Sequence, residues 1–315
     1  LFLTNLKVKG WLDYETLSEL RSDIIIVTLK GDRKGRPQVD YTVNPALGIP
    51  EITGHEGSTE PVANAIPAWD MIAGNMCVSS LLAAERYRLR HGVGQDVEIA
   101  LKDVAAAAIG HLGMIADSTL NTDDRSKAGN ALYGAYGKDF LCADGNRVMI
   151  IGLTSRQWSG ILKATDTTEQ FKNLENEKNI NLKDEATRWK WRHEITAILE
   201  PWFKTRAVED FARDFDNTGL TWSVFRSVKE ALEFDPDLSE DNPLFKKIKQ
   251  PDAGEFLVPR HPANFSKVDK SEAKGAPALG EHTEEILGDI LHLSDIEISN
   301  LFDKGVVASP TYNKN

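Results

Sequence analysis

The sequence predicts an α/β fold, and three observations predict it. Residues 23–29, Asp-Ile-Ile-Ile-Val-Thr-Leu, form a continuous apolar run, the pattern of a strand buried on both faces of a parallel sheet. Residues 71–89 contain no proline and are rich in helix formers, which predicts a helix about 28 Å long at roughly 1.5 Å per residue. Beyond residue 136 two short apolar runs flank Asp144-Gly145, the mark of a hairpin in a smaller α+β portion.

Taken in order, residues 1–4 read as a strand and 13–21 as a helix ahead of the buried strand. Gly31-Asp-Arg-Lys-Gly35 is a charged turn, and a solvated loop is its simplest explanation. Asp40 and Tyr41 follow; they are either a strand-end carboxylate and a packed aromatic, or contacts to a ligand. Residues 55–64 form a polar loop in which His55 is expected to be exposed. In the long helix Met71, Val78, Leu81 and Leu82 supply apolar faces, while Ala73, Cys77, Ser80 and Ala84 form a stripe of small residues that lets another backbone approach.

Asp70, at the start of that helix, has two readings. As an N-cap its carboxylate accepts from an early helical N–H and contributes about 1 kcal/mol. As a nucleophile it gains from the positive end of the helix dipole, which keeps the carboxylate ionised and its pKa low, ready to attack an activated acyl carbon. Spacing alone does not separate the two.

Gly92 and Gly94 interrupt the chain, and Leu101, Val104, Ala105, Ala108, Ile109, Leu112 and Ile115 then recur at helical spacing, predicting one helix to about residue 117. His111 within it is expected to be a hydrogen-bonded core residue. Residues 118–134 are polar and read as a linker. The hairpin pairs 137–142 with 147–152; helices follow at 155–163, 184–203 and 207–215, then a strand at 220–224 and a helix at 228–234. Residues 236–276, rich in Pro, Asp and Lys, read as extended chain. Thr283 is expected to cap a helix carrying Glu284 and Glu285, with His282 a structural hydrogen-bonder; Ser294-Asp-Ile-Glu297 is a capping box, and Gly305 ends the last helix.

Length and charge narrow the function. The chain has 315 residues, enough for about two domains. It carries 37 basic and 48 acidic residues, a net charge of -11, with no basic tract to bind nucleic acid. No apolar run approaches the roughly 20 residues of a membrane helix and no signal peptide is visible, so a cytoplasmic protein is expected. Cys77 and Cys142 make no disulfide framework or metal-ligand spacing and are expected to be buried thiols.

Residues 67–103 resemble the central segment of the class III CoA-transferases, the CaiB/BaiF family. In that family an Asp opens a long helix and a Gly-x-Gly-Gln-x-Val-x-Ile-x-Leu-x-Asp stretch follows the turn, as Gly92 to Asp103 does here. Residues 37–54, the Tyr133-Gly-x-Tyr136 segment and Pro277 to Leu287 resemble further family motifs, and Leu1 to Lys7 resembles the family's strand and Asn-Phe-Arg turn. That turn normally follows the first βαβ portion, so a preceding N-terminal segment is expected to be absent from this chain.

The resemblance implies the class III CoA-transferase fold: a Rossmann-like large α/β domain at 1–125, a small α+β domain at 126–235, a return to the large domain at 236–315, and an interlocked homodimer. It implies that Asp70 is the nucleophile, that Asp40, Tyr41, Tyr133 and Tyr136 contact substrate, and that the loops beside Gly31 and Gly54 supply oxyanion donors. The substrate is then an acyl-CoA, with coenzyme A entering as part of it and no metal or redox cofactor. Within the family the resemblance is to members that move CoA between the two carboxyl groups of mesaconate, which implies the same reaction here. The family's racemases place a His before the Asp of the 37–54 motif, where this chain has Val39, and valine moves no proton. The formyl-CoA transferases' glycine-run loop is missing, and Ser155 stands where racemases keep a Glu. Transfer between separate acids, racemisation and a non-catalytic dimeric remnant are the competing readings.

Overall fold

β2 (Ile25–Lys30) lies between β1 (Phe2–Thr4) and β3 (Gln95–Ala100) in a parallel sheet, with Thr4 opposite Thr28 and Ile25 opposite Gln95. Ile24, Ile25, Ile26 and Val27 are all buried, as a strand covered on both faces requires. These coordinates come from a computed structural model and describe residues 1–251 and 253–310. The chain divides into two units, Leu1–Val224 and Phe225–Asn315. Among the described residues, no helix is long and apolar enough to cross a membrane.

The β2–β3 pairing begins at a close approach. The Gln95 N–H donates to the Ile24 carbonyl at 3.0 Å, and a Cβ on Gly94 would lie 1.9 Å from that same oxygen. Gly94→Ala is therefore expected to lower stability by about 1–3 kcal/mol. A reduced urea midpoint at constant slope is the measurement; an unchanged midpoint would mean the strands separate at no cost.

α1 (Tyr14–Leu20) starts at Asp13, whose carboxylate accepts from the Thr16 N–H at 2.8 Å. Residues 40–52, expected to begin at a strand end, are helical instead: α2 (Asp40–Ala46) and α3 (Ile49–Ile52). The cause is local, since Thr42 Oγ1 accepts from the Val39 N–H at 3.1 Å and turns the chain at once.

α4 (Ala68–His91) buries Ala73, Cys77 and Ala84, the predicted small stripe, and lies against β2 and α5 (Leu101–His111). Of the four residues expected to supply its apolar faces, Leu81 packs against the core around β2, whereas Met71, Val78 and Leu82 are exposed. The single helix expected to residue 117 is two, because Gly113 takes φ +76° and α6 (Met114–Leu120) starts anew. His111 is thus an exposed helix end, not the core residue expected.

A second core forms around the antiparallel sheet of β4 (Tyr136–Leu141), β5 (Arg147–Gly152) and β6 (Thr221–Val224). The expected Asp144-Gly145 turn joins the first two strands. α7 (Ser155–Ala164), α8 (Thr168–Lys178), α9 (Glu185–Lys190), α10 (Arg192–Lys204) and α11 (Val208–Thr218) complete it. Phe140 stacks on Phe203 with centroids 4.4 Å apart, and Phe211 and Phe215 close the cluster. α8 was not anticipated because Phe171 is its one buried residue, which leaves little periodic signal. The expected 184–203 helix is interrupted at Trp191.

In the second unit α12 (Val228–Phe234) matches expectation, whereas the stretch read as extended contains a hairpin, β7 (Phe245–Gln250) with β8 (Gly254–Pro259). Its lysines and prolines mask the alternation. α13 (Thr283–Glu285) includes Thr283 instead of being capped by it, and a π-helical turn, Ile286–Ile290, follows. α14 (Asp295–Asp303) carries the predicted box, with Ser294 N–H donating to Glu297 Oε2 at 2.8 Å, and Gly305 beyond its end takes φ +64°.

Candidate active site

The start of α4 is held by α2. Asp40 Oδ2 accepts from the Trp69 N–H at 2.7 Å and from the Asp70 N–H at 3.3 Å, and Asn44 Oδ1 accepts from the Trp69 indole N–H at 3.0 Å. Asp40 is only 1% exposed, and its Oδ1 is buried with no partner among the described residues. The helix begins at Ala68, so Asp70 is its third residue; the N-cap position is Pro67, which offers no side-chain bond. The cap comes from 30 residues earlier in the chain.

With the capping done by Asp40, no hydrogen bond or ion pair engages the Asp70 carboxylate among the described residues. Loss of hydration raises its pKa from the ordinary 3.8, and the neighbouring Asp40 charge raises it further. The direction is opposite to the low value expected from the helix dipole, because loss of hydration and the Asp40 charge both favour the neutral acid.

Asp70 opens onto a cavity of about 690 Å³ at the C-terminal ends of all three parallel strands. Asn5 and Lys7 follow β1; Thr28, Leu29, Lys30 and Gly31 close β2; Leu101 follows β3. The loop from Gly35 to Val39 forms the remaining wall. Ligands of open α/β sheets bind at this edge, where the strands deliver their connecting loops.

The charged loop at 31–36 is folded, not merely solvated. Asp32, 3% exposed, accepts at Oδ1 from the Lys34 and Arg36 N–H groups, each at 2.9 Å, and pairs at Oδ2 with Arg36 Nε at 2.6 Å. These bonds, the Arg36 N–H first, hold its pKa down. Gly31 is required there, since a Cβ would lie 2.3 Å from the Arg36 carbonyl oxygen. Of the lining cations, Lys30 meets Glu98 at 2.6 Å and Lys7 meets the same carboxylate at 3.4 Å. The hydrogen bond from Lys30 is the main reason Glu98 titrates low.

The sequence reading did not single out Lys7, Lys30, Arg36 or Gln38 as site residues. The signal that could have found them is position: Lys30 closes β2, Lys7 lies shortly after β1, and Arg36 and Gln38 lie on the loop that leads from β2 to α2.

The other candidates lie elsewhere. Tyr41 is exposed on α2 and does not line the Asp70 cavity. Tyr133 carries the Arg125 guanidinium 3.5 Å from its ring centroid, packs on Trp189, and lines a separate polar cavity. Tyr136 is buried, its hydroxyl 3.1 Å from Thr196 Oγ1, and burial pushes its pKa up. Gly54 accepts from the Gly129 N–H at 2.9 Å, away from the Asp70 cavity, so of the two proposed oxyanion loops only that at Gly31 reaches it. His55 and His282 are exposed. Cys77 and Cys142 are buried free thiols, the latter pushed up to about 11 by burial. Among the described residues no cluster of His, Cys, Asp or Glu could hold a metal ion.

Comparison with known proteins agrees with this architecture. The chain is 48% identical over 310 residues to 2-methylfumaryl-CoA isomerase of Chloroflexus aurantiacus, spanning 98% of this chain and 76% of that protein. It is 25% identical to human succinyl-CoA:glutarate CoA-transferase, spanning 94% of this chain and 66% of the other. A CaiB/BaiF family protein from Brucella suis superposes with a TM-score of 0.69 at 21% identity, covering 91% of this chain and 74% of that one. A family model, CoA-transferase family III, matches residues 3–283. Agreement over that much of the chain means that it belongs to CoA-transferase family III.

Proposed function

We propose that this chain is an intramolecular CoA-transferase that moves CoA between the two carboxyl groups of mesaconate, with Asp70 as the covalent carrier. The observation that carries the reading is the uncommitted Asp70 carboxylate at the mouth of a cavity walled by Lys7, Lys30 and Arg36. The 48% identity to 2-methylfumaryl-CoA isomerase supports the substrate.

Ionised Asp70 attacks the thioester carbonyl of mesaconyl-CoA; the C–S bond breaks, CoA leaves as thiolate, and a mixed anhydride remains. The thiolate then attacks the aspartyl carbonyl, giving aspartyl-CoA thioester and mesaconate dianion. The second carboxylate of the same mesaconate attacks that thioester, expelling thiolate and forming the isomeric anhydride. Thiolate attack on the mesaconyl carbonyl releases the isomeric thioester and restores Asp70. Retention of the diacid between steps keeps the second carboxylate at high effective concentration, so no second CoA donor is consumed. The Gly31 loop is the source of oxyanion donors, and the basic wall suits a substrate that keeps a free carboxylate throughout.

Val39 lies on the wall of this cavity, where a racemase of the family places its base, and it moves no proton. A homodimer belongs to the same reading. α4 turns Met71, Ile72, Val78 and Leu82 outward, an apolar face of the kind that a second subunit covers.

Incubation with mesaconyl-CoA followed by hydroxylamine or borohydride trapping should place the adduct on the peptide containing Asp70. Labelled free mesaconate added to the same reaction should stay out of the product. Modification at another residue removes the mechanism, and incorporation of label converts the reading to transfer between separate acids.

A further inference from the structure

The proposed nucleophile has a second carboxylate behind it. Asp40 reaches the first turn of α4 from α2, binds the Trp69 and Asp70 N–H groups through Oδ2, and leaves Oδ1 buried without a partner among the described residues. Asn44, one turn along α2, secures the Trp69 indole. Two negative charges thus meet at one helix terminus: one buried and bonded, the other facing the cavity and free.

We propose that Asp40 is a positioning residue for Asp70: it takes over the helix cap, keeps the Asp70 carboxylate uncommitted, and repels it while ionised so that acylation relieves the repulsion. The inference rests on the covalent reading above. When Asp70 forms the anhydride or the aspartyl-CoA thioester, its negative charge passes to the departing thiolate or carboxylate, and the like-charge pair disappears. The free nucleophile is raised in energy while the uncharged acyl forms are not. The capping bonds from Asp40 persist throughout, so the reacting carbonyl stays registered on the helix.

Other charged groups lie on the neighbouring elements. Lys7, Lys30 and Arg36 line the cavity, each paired with Glu98 or Asp32; α5 carries Lys102 and Asp103, and β3 carries Asp96 and Glu98, none of which lines it. Of these and Asp40, the charge that raises Asp70 is that of Asp40.

Asp40→Asn separates charge from capping, because the amide oxygen can still accept from both N–H groups. The expected result is an acid limb of the isomerisation pH profile moved to lower pH by about half a unit or more, a several-fold lower kcat, and a smaller steady-state fraction of acid-quenched aspartyl-CoA adduct by intact mass spectrometry. A limb and an adduct fraction both unchanged would overturn the proposal, leaving Asp40 a structural cap. Should Asp40→Asn fail to fold, the wild-type protein decides. With 13C-labelled aspartate carboxyls, the resonance missing in Asp70→Asn should titrate above 3.8, and titration at or below that value overturns the proposal. The titration needs no turnover, so it stands apart from the mechanism: an active Asp70→Asn enzyme removes the covalent reading, while a value at or below 3.8 removes the Asp40 repulsion, loss of hydration being the other and larger cause of a raised value.

Discussion

Asp70→Asn is expected to lower kcat for mesaconyl-CoA isomerisation by about four orders of magnitude or more while leaving the thermal midpoint unchanged or slightly higher. The catalytic half follows from the proposed mechanism: a neutral amide neither attacks the thioester nor carries CoA, and removing a covalent nucleophile disables every later step. The stability half follows from the structure. If Asp70 capped α4, its replacement would weaken the helix; the N–H groups of that turn are instead held by Asp40 at 2.7 and 3.3 Å.

The sign of the titration agrees. Asp70 has a folded-state pKa above its unfolded one, so its favourable contribution is present below the unfolded value and is lost as pH rises through the folded value. At neutral pH the ionised side chain opposes folding slightly, and the amide does not. Turnover and a melting curve on one preparation check both halves. A fully active Asp70→Asn enzyme would end the covalent account, and a midpoint that fell by many degrees would show that Asp70 does hold the helix.

Arg188→Ala is expected to destabilise the first unit by about 3–5 kcal/mol, the scale of losing several hydrogen bonds from one buried charged donor to backbone carbonyls. Arg188 is 0% exposed. It donates through Nε to the Gly152 carbonyl at 3.1 Å, through one terminal nitrogen to Leu182 and Lys183 at 2.7 and 3.0 Å, and through the other to Leu153 at 2.6 Å. These bonds tie the end of β5 to the turn before α9. Loss of hydration lowers the guanidinium's pKa, yet Arg begins high enough to stay charged. Truncation strands the Gly152 and Leu182 carbonyl oxygens in the interior, each costing about 1–3 kcal/mol where water does not replace the donor, and frees those of Leu153 and Lys183 nearer the surface. Arg188→Lys should rescue little, since a single ammonium cannot span the fork. Denaturant unfolding of both variants is the measurement; a lysine variant as stable as wild type would mean that charge matters here and geometry does not.

Much of the candidate site was legible in local pattern. Asp70 stands out because it opens a long proline-free helix, and the buried strand stands out as an unbroken apolar run. The small stripe marked the inward side of α4, with Ala73, Cys77 and Ala84 buried and Ser80 half-buried. Asp40 was noticed, but its partner lies some thirty residues away and no periodicity links them. Lys7, Lys30 and Arg36 are ordinary surface residues in sequence, and only the parallel alignment of β1 with β2 brings the first two to one edge. Tyr133 and Tyr136, the two aromatics of one motif, point to different places because one lies in a turn and the other starts a buried strand.

Short-range physics is written in the order of residues. Helix formers without proline, an alternation broken by Asp-Gly, and a serine three places before a glutamate each act over a few residues, so elements and a nucleophile candidate can be read from the chain alone. Which carboxylate caps α4, which one is left free, and which cations share its cavity were settled by folding. Hydrogen bonding and charge repulsion act across space, and two aspartates that look interchangeable along the chain acquire opposite roles once one is enclosed against a helix terminus and the other is left open to the cavity.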